Sequence, residues 1–139
     1  MGVKAVKASI LRAIKKVQKQ EWKLVCNWTI SKTSRQCCPV AALLIDCADE
    51  KIAWGSTKKV CERAAELLKI KPTDVEAFMC GFDRFSKVQT FRKHDSTDKW
   101  TNGVLRLEGA DLKSAKVYYD LGLELRTKLK PGKGSVHAL

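Results

Sequence analysis

Six cysteines, two histidines and a small acidic cluster are the side chains of this 139-residue chain with the clearest capacity for chemistry. Cys38 has the best setting among them. It precedes Pro39-Val40-Ala41-Ala42-Leu43-Leu44-Ile45, which predicts a short apolar helix with proline at its first position. A thiol at a helix N-terminus feels the dipole and the unpaired amides, which favour the thiolate. Nucleophilic catalysis also needs a base, and His94 and His137 stand in no recognisable motif. A capping role for Cys38 is therefore the plainer reading, with a cysteine-dependent enzyme kept as a third function.

Metal chemistry has less support. Cys26, Cys37, Cys38, Cys47, Cys61 and Cys80 are separated by 11, 1, 9, 14 and 19 positions. Structural zinc sites use pairs two to four apart, so no metal or other cofactor is expected. Asp46, Asp49 and Glu50 fit a solvated helix end. The chain has no phosphate-binding loop, dinucleotide fingerprint, HExxH or G-x-S-x-G. It is expected not to be an enzyme.

Charge is the stronger signal. The net charge is +12, and it is unevenly placed. Residues 1–25 carry seven Lys or Arg against one acid, residues 26–83 eight of each, and residues 84–139 twelve against six. The two ends thus hold all the excess, which points to an acidic partner: nucleic acid, an acidic protein surface or an anionic membrane. The candidate binding residues are Lys4, Lys7, Arg12, Lys15, Lys16 and Lys19 at the first end. Arg84, Lys87, Arg92, Lys93 and Lys99, beside Trp100, form a second basic group. Exposed aromatic platforms of the kind single-strand binders use are not evident.

The elements that must position these residues are mostly helical. Val3, Val6, Ile10, Ile14 and Val17 share one face of a helix running to about Gln20, with the lysines around the rest. Trp22, Leu24, Cys26, Trp28 and Ile30 alternate with Lys23, Val25, Asn27 and Thr29, which predicts a strand. Its candidate partners are Lys51–Trp54, Val88–Arg92 and Val104–Leu107, and Ser31–Gln36 reads as a polar connection. Ser56 caps a helix carrying Val60, Ala64, Leu67 and Leu68. Pro72 ends that helix, and Thr73-Asp74-Val75-Glu76 reads as the capping box of the next, with Gly81 a stop. Gly109–Leu129 is a long closing helix broken by Pro131-Gly132. The expectation is one mostly α domain of about five helices with a minor β element over residues 1–130, then a flexible tail over 131–139.

Two resemblances add to this. The stretch Ser56–Arg84 resembles a DNA-binding helix-turn-helix: Ala65 and Val75 are ten apart, and Lys69 stands where the motif has its turn glycine. No basic residue falls between Thr73 and Asp83, so two helices packing a core is the competing reading. The phrases CPVAALL, AAELLKIKPTDVEAF and MCGFD, about a third of the chain, resemble short uncharacterised phage and prophage proteins. That resemblance implies an accessory role, such as inhibiting or assembling with a host or virion protein.

No run of eighteen apolar residues suggests a membrane span, and the basic start lacks a secretory core. The expected location is cytoplasmic, in the host cytoplasm if the protein is phage-encoded. The expected function is non-catalytic binding to nucleic acid or a nucleic-acid-handling protein through the basic segments.

Overall fold

A computed structural model of the chain describes residues 2–26, 30–31, 33–83 and 109–132. Helix α1 (Val3–Lys19) buries Val6, Ile10, Ala13, Ile14 and Val17, the stripe its periodicity predicts, while Val3 lies at the exposed helix start. Each fully buried aliphatic side chain of this kind contributes about 1.5–3 kcal/mol. The chain turns at Glu21, which has a positive φ of 70°, and the amide of Trp22 donates back to the Val17 carbonyl.

Among the described residues, the expected strand over Trp22–Ile30 contributes to β1 (Lys23–Leu24) and β2 (Ile30–Ser31). With β3 (Gln36–Cys37) they form a sheet of order β1-β3-β2. β1 runs parallel to β3 with Leu24 opposite Cys37, and β2 runs antiparallel to β3 with Ile30 opposite Cys37. The polar stretch Ser31–Gln36 holds the end of β2, a turn and the start of β3. Its turn is held by Ser34, whose amide donates to the Ser31 hydroxyl, and by Arg35 at φ 54°. Alternation fails because Val25 and Cys26 are both buried: Val25 bridges to Gly132, and the amide of Cys26 donates to the Gly132 carbonyl at 3.0 Å. Of the three expected strand partners, Lys51–Trp54 falls instead on helix α3 (Glu50–Ala53) and its C-cap; the other two lie outside the described residues.

Helix α2 (Pro39–Asp46) buries every residue from Pro39 to Leu44, as a helix apolar on all sides must. Helices α4 (Thr57–Leu68) and α5 (Pro72–Asp83) follow. Ser56 caps α4 as expected, accepting from the Lys59 amide at 3.2 Å. The second cap differs: Pro72 opens α5, and it is Asp74 that reaches back to accept from the Lys71 amide at 3.3 Å. Asp74 is only 3% exposed, and its other oxygen accepts from the Ser114 hydroxyl at 2.8 Å. Thr73 therefore sits inside the first turn, where its side chain cannot cap.

Helix α6 (Gly109–Leu129) has the predicted bounds and packs lengthwise on α5. The crossing is backbone to backbone. A Cβ on Gly81 would overlap the Tyr119 carbonyl, and one on Gly122 would overlap the Phe78 carbonyl. Gly81 is thus a packing residue within α5 rather than its stop. Among the described residues, six helices and one small sheet surround a shared core that includes Ile14, Leu44, Met79, Phe82 and Leu125. No helix among the described residues is long and apolar enough to cross a membrane.

Candidate nucleic-acid interface

Helix α1 positions the first basic group by its periodicity alone. At about 100° per residue, Lys4, Lys15, Lys19 and Arg12 project into a sector about 80° wide. That sector lies opposite the stripe buried against α2 and α6, and all four residues are exposed. Only the small Ala8 stands among them, and it is exposed too. From Lys4 to Lys19 the row covers roughly 22 Å of helix axis. Arg12 hydrogen-bonds the Ser9 hydroxyl at 3.5 Å, and none of the four makes an ion pair among the described residues. The first turn of α1 holds no acid, so the helix dipole adds positive potential at that end.

The other two candidates on α1 are placed differently. Lys7 reaches across to α6 and pairs with Glu124 at 2.5 Å. Lys16 approaches Asp46, the last residue of α2, at 3.9 Å. They flank the exposed row on opposite sides, and each brings a carboxylate to its border. Arg84, Lys87, Arg92, Lys93 and Lys99 lie outside the described residues.

One cation at this end of the molecule carried no readable signal in the sequence. The guanidinium of Arg35 lies 4.7 Å from the Trp22 ring centroid and donates to the Gln20 carbonyl beyond the end of α1. It closes the helix C-terminus with positive charge and covers an indole that is otherwise buried. Only the turn that holds Arg35 at positive φ brings it there, which no local pattern announces.

Cys38 sits where predicted, at the N-cap of α2, and its sulfur accepts from the Ala41 amide at 3.4 Å. That bond favours the thiolate, but complete burial outweighs it and pushes the thiol far above its ordinary range. Burial likewise raises Cys26, Cys37 and Cys61 to about 12. These thiols are protonated at neutral pH, so the nucleophile that the helix N-terminus suggested does not form at Cys38. Among the described residues no group of His, Cys, Asp and Glu is arranged to hold a metal ion.

The hairpin of α4 and α5 turns at Lys69. Lys69 adopts φ 58° and ψ 47°, the left-handed conformation that glycine favours, and the Ile70 amide donates to the Ala65 carbonyl. The second helix is largely enclosed: Val75, Ala77, Phe78, Met79, Gly81 and Phe82 are all buried. Its least covered positions after Pro72 are Thr73, Glu76 and Cys80, none of them basic.

An apolar crevice between α1, α2, α5 and α6, bordered by Val6, Ile10, Leu43, Phe78 and Tyr118, has a free volume of about 10 Å³. That is room for one water molecule and too little for a metabolite. No protein-family model matches the chain, and neither a curated protein nor a solved structure matches it.

Proposed function

We propose that the protein is a non-catalytic basic binding protein that contacts nucleic acid, or a protein that handles it, through the outer face of α1. The observation that carries this reading is the row of Lys4, Arg12, Lys15 and Lys19, gathered on one exposed face without ion-pair partners among the described residues. Four cations held in line by a packed helix form a rigid electrostatic footprint, and phosphate is the ligand such a footprint serves best. Arg84, Lys87, Arg92, Lys93 and Lys99 join the proposal on charge alone.

Binding of a labelled duplex, followed by fluorescence anisotropy, tests it. Neutralising four phosphates makes the affinity fall about a hundredfold between ~50 and ~200 mM salt. A flat salt response, or no binding at the lower salt, would sink the nucleic-acid reading and leave only a contact with a protein that handles nucleic acid.

A second reading has its own support. Trp54, at the C-cap of α3, is 48% exposed, and a large exposed indole is a typical anchor for a protein partner. A phage-type accessory or inhibitor role toward a host or virion protein would use it. A stoichiometric protein complex that survives nuclease treatment and is lost in Trp54→Ala favours this alternative.

A further inference from the structure

We infer that the outer face of α1 is a track for the phosphates of one strand of a duplex, engaged without reading bases. This rests on the reading of α1 as a nucleic-acid contact and narrows it to a class of ligand and a mode of binding.

The width of the basic strip is the first ground. Lys4, Lys15, Lys19 and Arg12 fill a sector about 80° wide, with Lys7 about 60° to one side and Lys16 about 40° to the other. Glu124, paired to Lys7, and Asp46, paired to Lys16, therefore border the strip along both edges. Each of these pairs is net neutral, so the charge offered to phosphate is confined to the strip between them, whose single row of cations matches one line of phosphates.

The shape and chemistry of the face are the second ground. α1 is convex, and its exposed row contains no aromatic residue, so a single strand finds neither groove nor stacking platform there. Trp22, just beyond the helix, is buried under Arg35. Trp54, the exposed aromatic among the described residues, belongs to another element. A duplex presents its phosphates outward at regular intervals and needs no platform. Ala8, at the middle of the row, offers no hydrogen bond to a base edge, and Gln18, the one amide side chain on α1, falls about 40° outside the row on the Lys7 side. Contacts confined to phosphates position a protein but carry no sequence information.

The test is the slope of log K against log salt for short duplexes of two unrelated sequences. Replacing Lys4, Arg12, Lys15 or Lys19 by Ala, one at a time, lowers the slope by about one unit on both duplexes alike. The charge-neutral double replacements Lys7→Met with Glu124→Gln, and Lys16→Met with Asp46→Asn, leave the slope unchanged. A single strand of equal length binds more weakly than the duplex. The inference is overturned if the double replacements lower the slope as much as the single ones, if the two duplexes respond differently, or if the single strand binds more tightly. Absence of any duplex binding overturns the parent reading too, so the two failures are told apart.

Discussion

At Cys38 two local effects compete, and their magnitudes decide the chemistry. The dipole at a helix N-terminus stabilises an anion by about 0.3–1 kcal/mol, or ~2 kcal/mol in favourable buried geometry. The Ala41 amide adds one hydrogen bond in the same direction. Removing an ionised group from water costs several times more, so desolvation sets the outcome and the thiol stays protonated. The sequence displayed the cap and the proline but not the burial, because burial depends on what the rest of the chain places over the site. Treatment of the native protein with iodoacetamide at about pH 8 is expected to leave Cys26, Cys37, Cys38 and Cys61 unlabelled while exposed Cys47 reacts, as peptide mass spectrometry would record. Desolvation and the nearby carboxylates of Asp46 and Asp49 raise Cys47 as well, so its labelling is slow. Rapid selective labelling of Cys38 would restore the enzyme reading.

Among the elements, the α5–α6 pair turns on two glycines whose role is invisible in one dimension. In an exposed helix interior a Gly→Ala change stabilises by about 1 kcal/mol through propensity. Here the added methyl would meet a carbonyl of the facing helix at both Gly81 and Gly122, and backbone cannot move aside as a flexible side chain can. Overpacking of this kind costs about 1–3 kcal/mol, and overlap with backbone belongs at the upper end. Gly81→Ala and Gly122→Ala are each expected to lower stability by about 2 kcal/mol or more, after the propensity gain, as seen in urea midpoints. A stabilised variant would mean the helices do not approach so closely. Periodicity found α1 and α4 with their buried faces, because local spacing determines those faces, and it found the bounds of α6. Within Trp22–Ile30 it misjudged Val25: Leu24, Val25 and Cys26 are all buried, covered from different directions by β3 and by the return of the chain at Gly132. The partner β3 was hidden within a polar stretch, since a two-residue strand has no period to read.

For the whole molecule, the sequence revealed how much positive charge lies at the first end, and the fold reveals how it is divided. Two of the six cations on α1 are tied to acids on α6 and α2, and four are left in a row. Helical spacing places the four in one sector, but it could not show that the other two are paired, because Glu124 and Asp46 arrive from distant parts of the chain. If the row exists for a partner, it should add nothing to folding. Its internal terms support that. Lys4 in the first turn opposes the helix dipole and Lys19 in the last turn complements it, by about 0.3–1 kcal/mol each, so these effects offset. Arg12–Lys15 and Lys15–Lys19 are like-charge neighbours at helical spacing, each unfavourable by about 0.2–0.5 kcal/mol. What remains is repulsion within a chain of net charge +12. Replacing Lys4, Arg12, Lys15 and Lys19 together by Gln is therefore expected to raise the thermal midpoint at about 20 mM salt, with the gain shrinking at ~0.5 M as screening removes the repulsion. Differential scanning fluorimetry at the two salts measures it. A midpoint lowered at both salts would make the row part of the scaffold and leave the binding face without its argument.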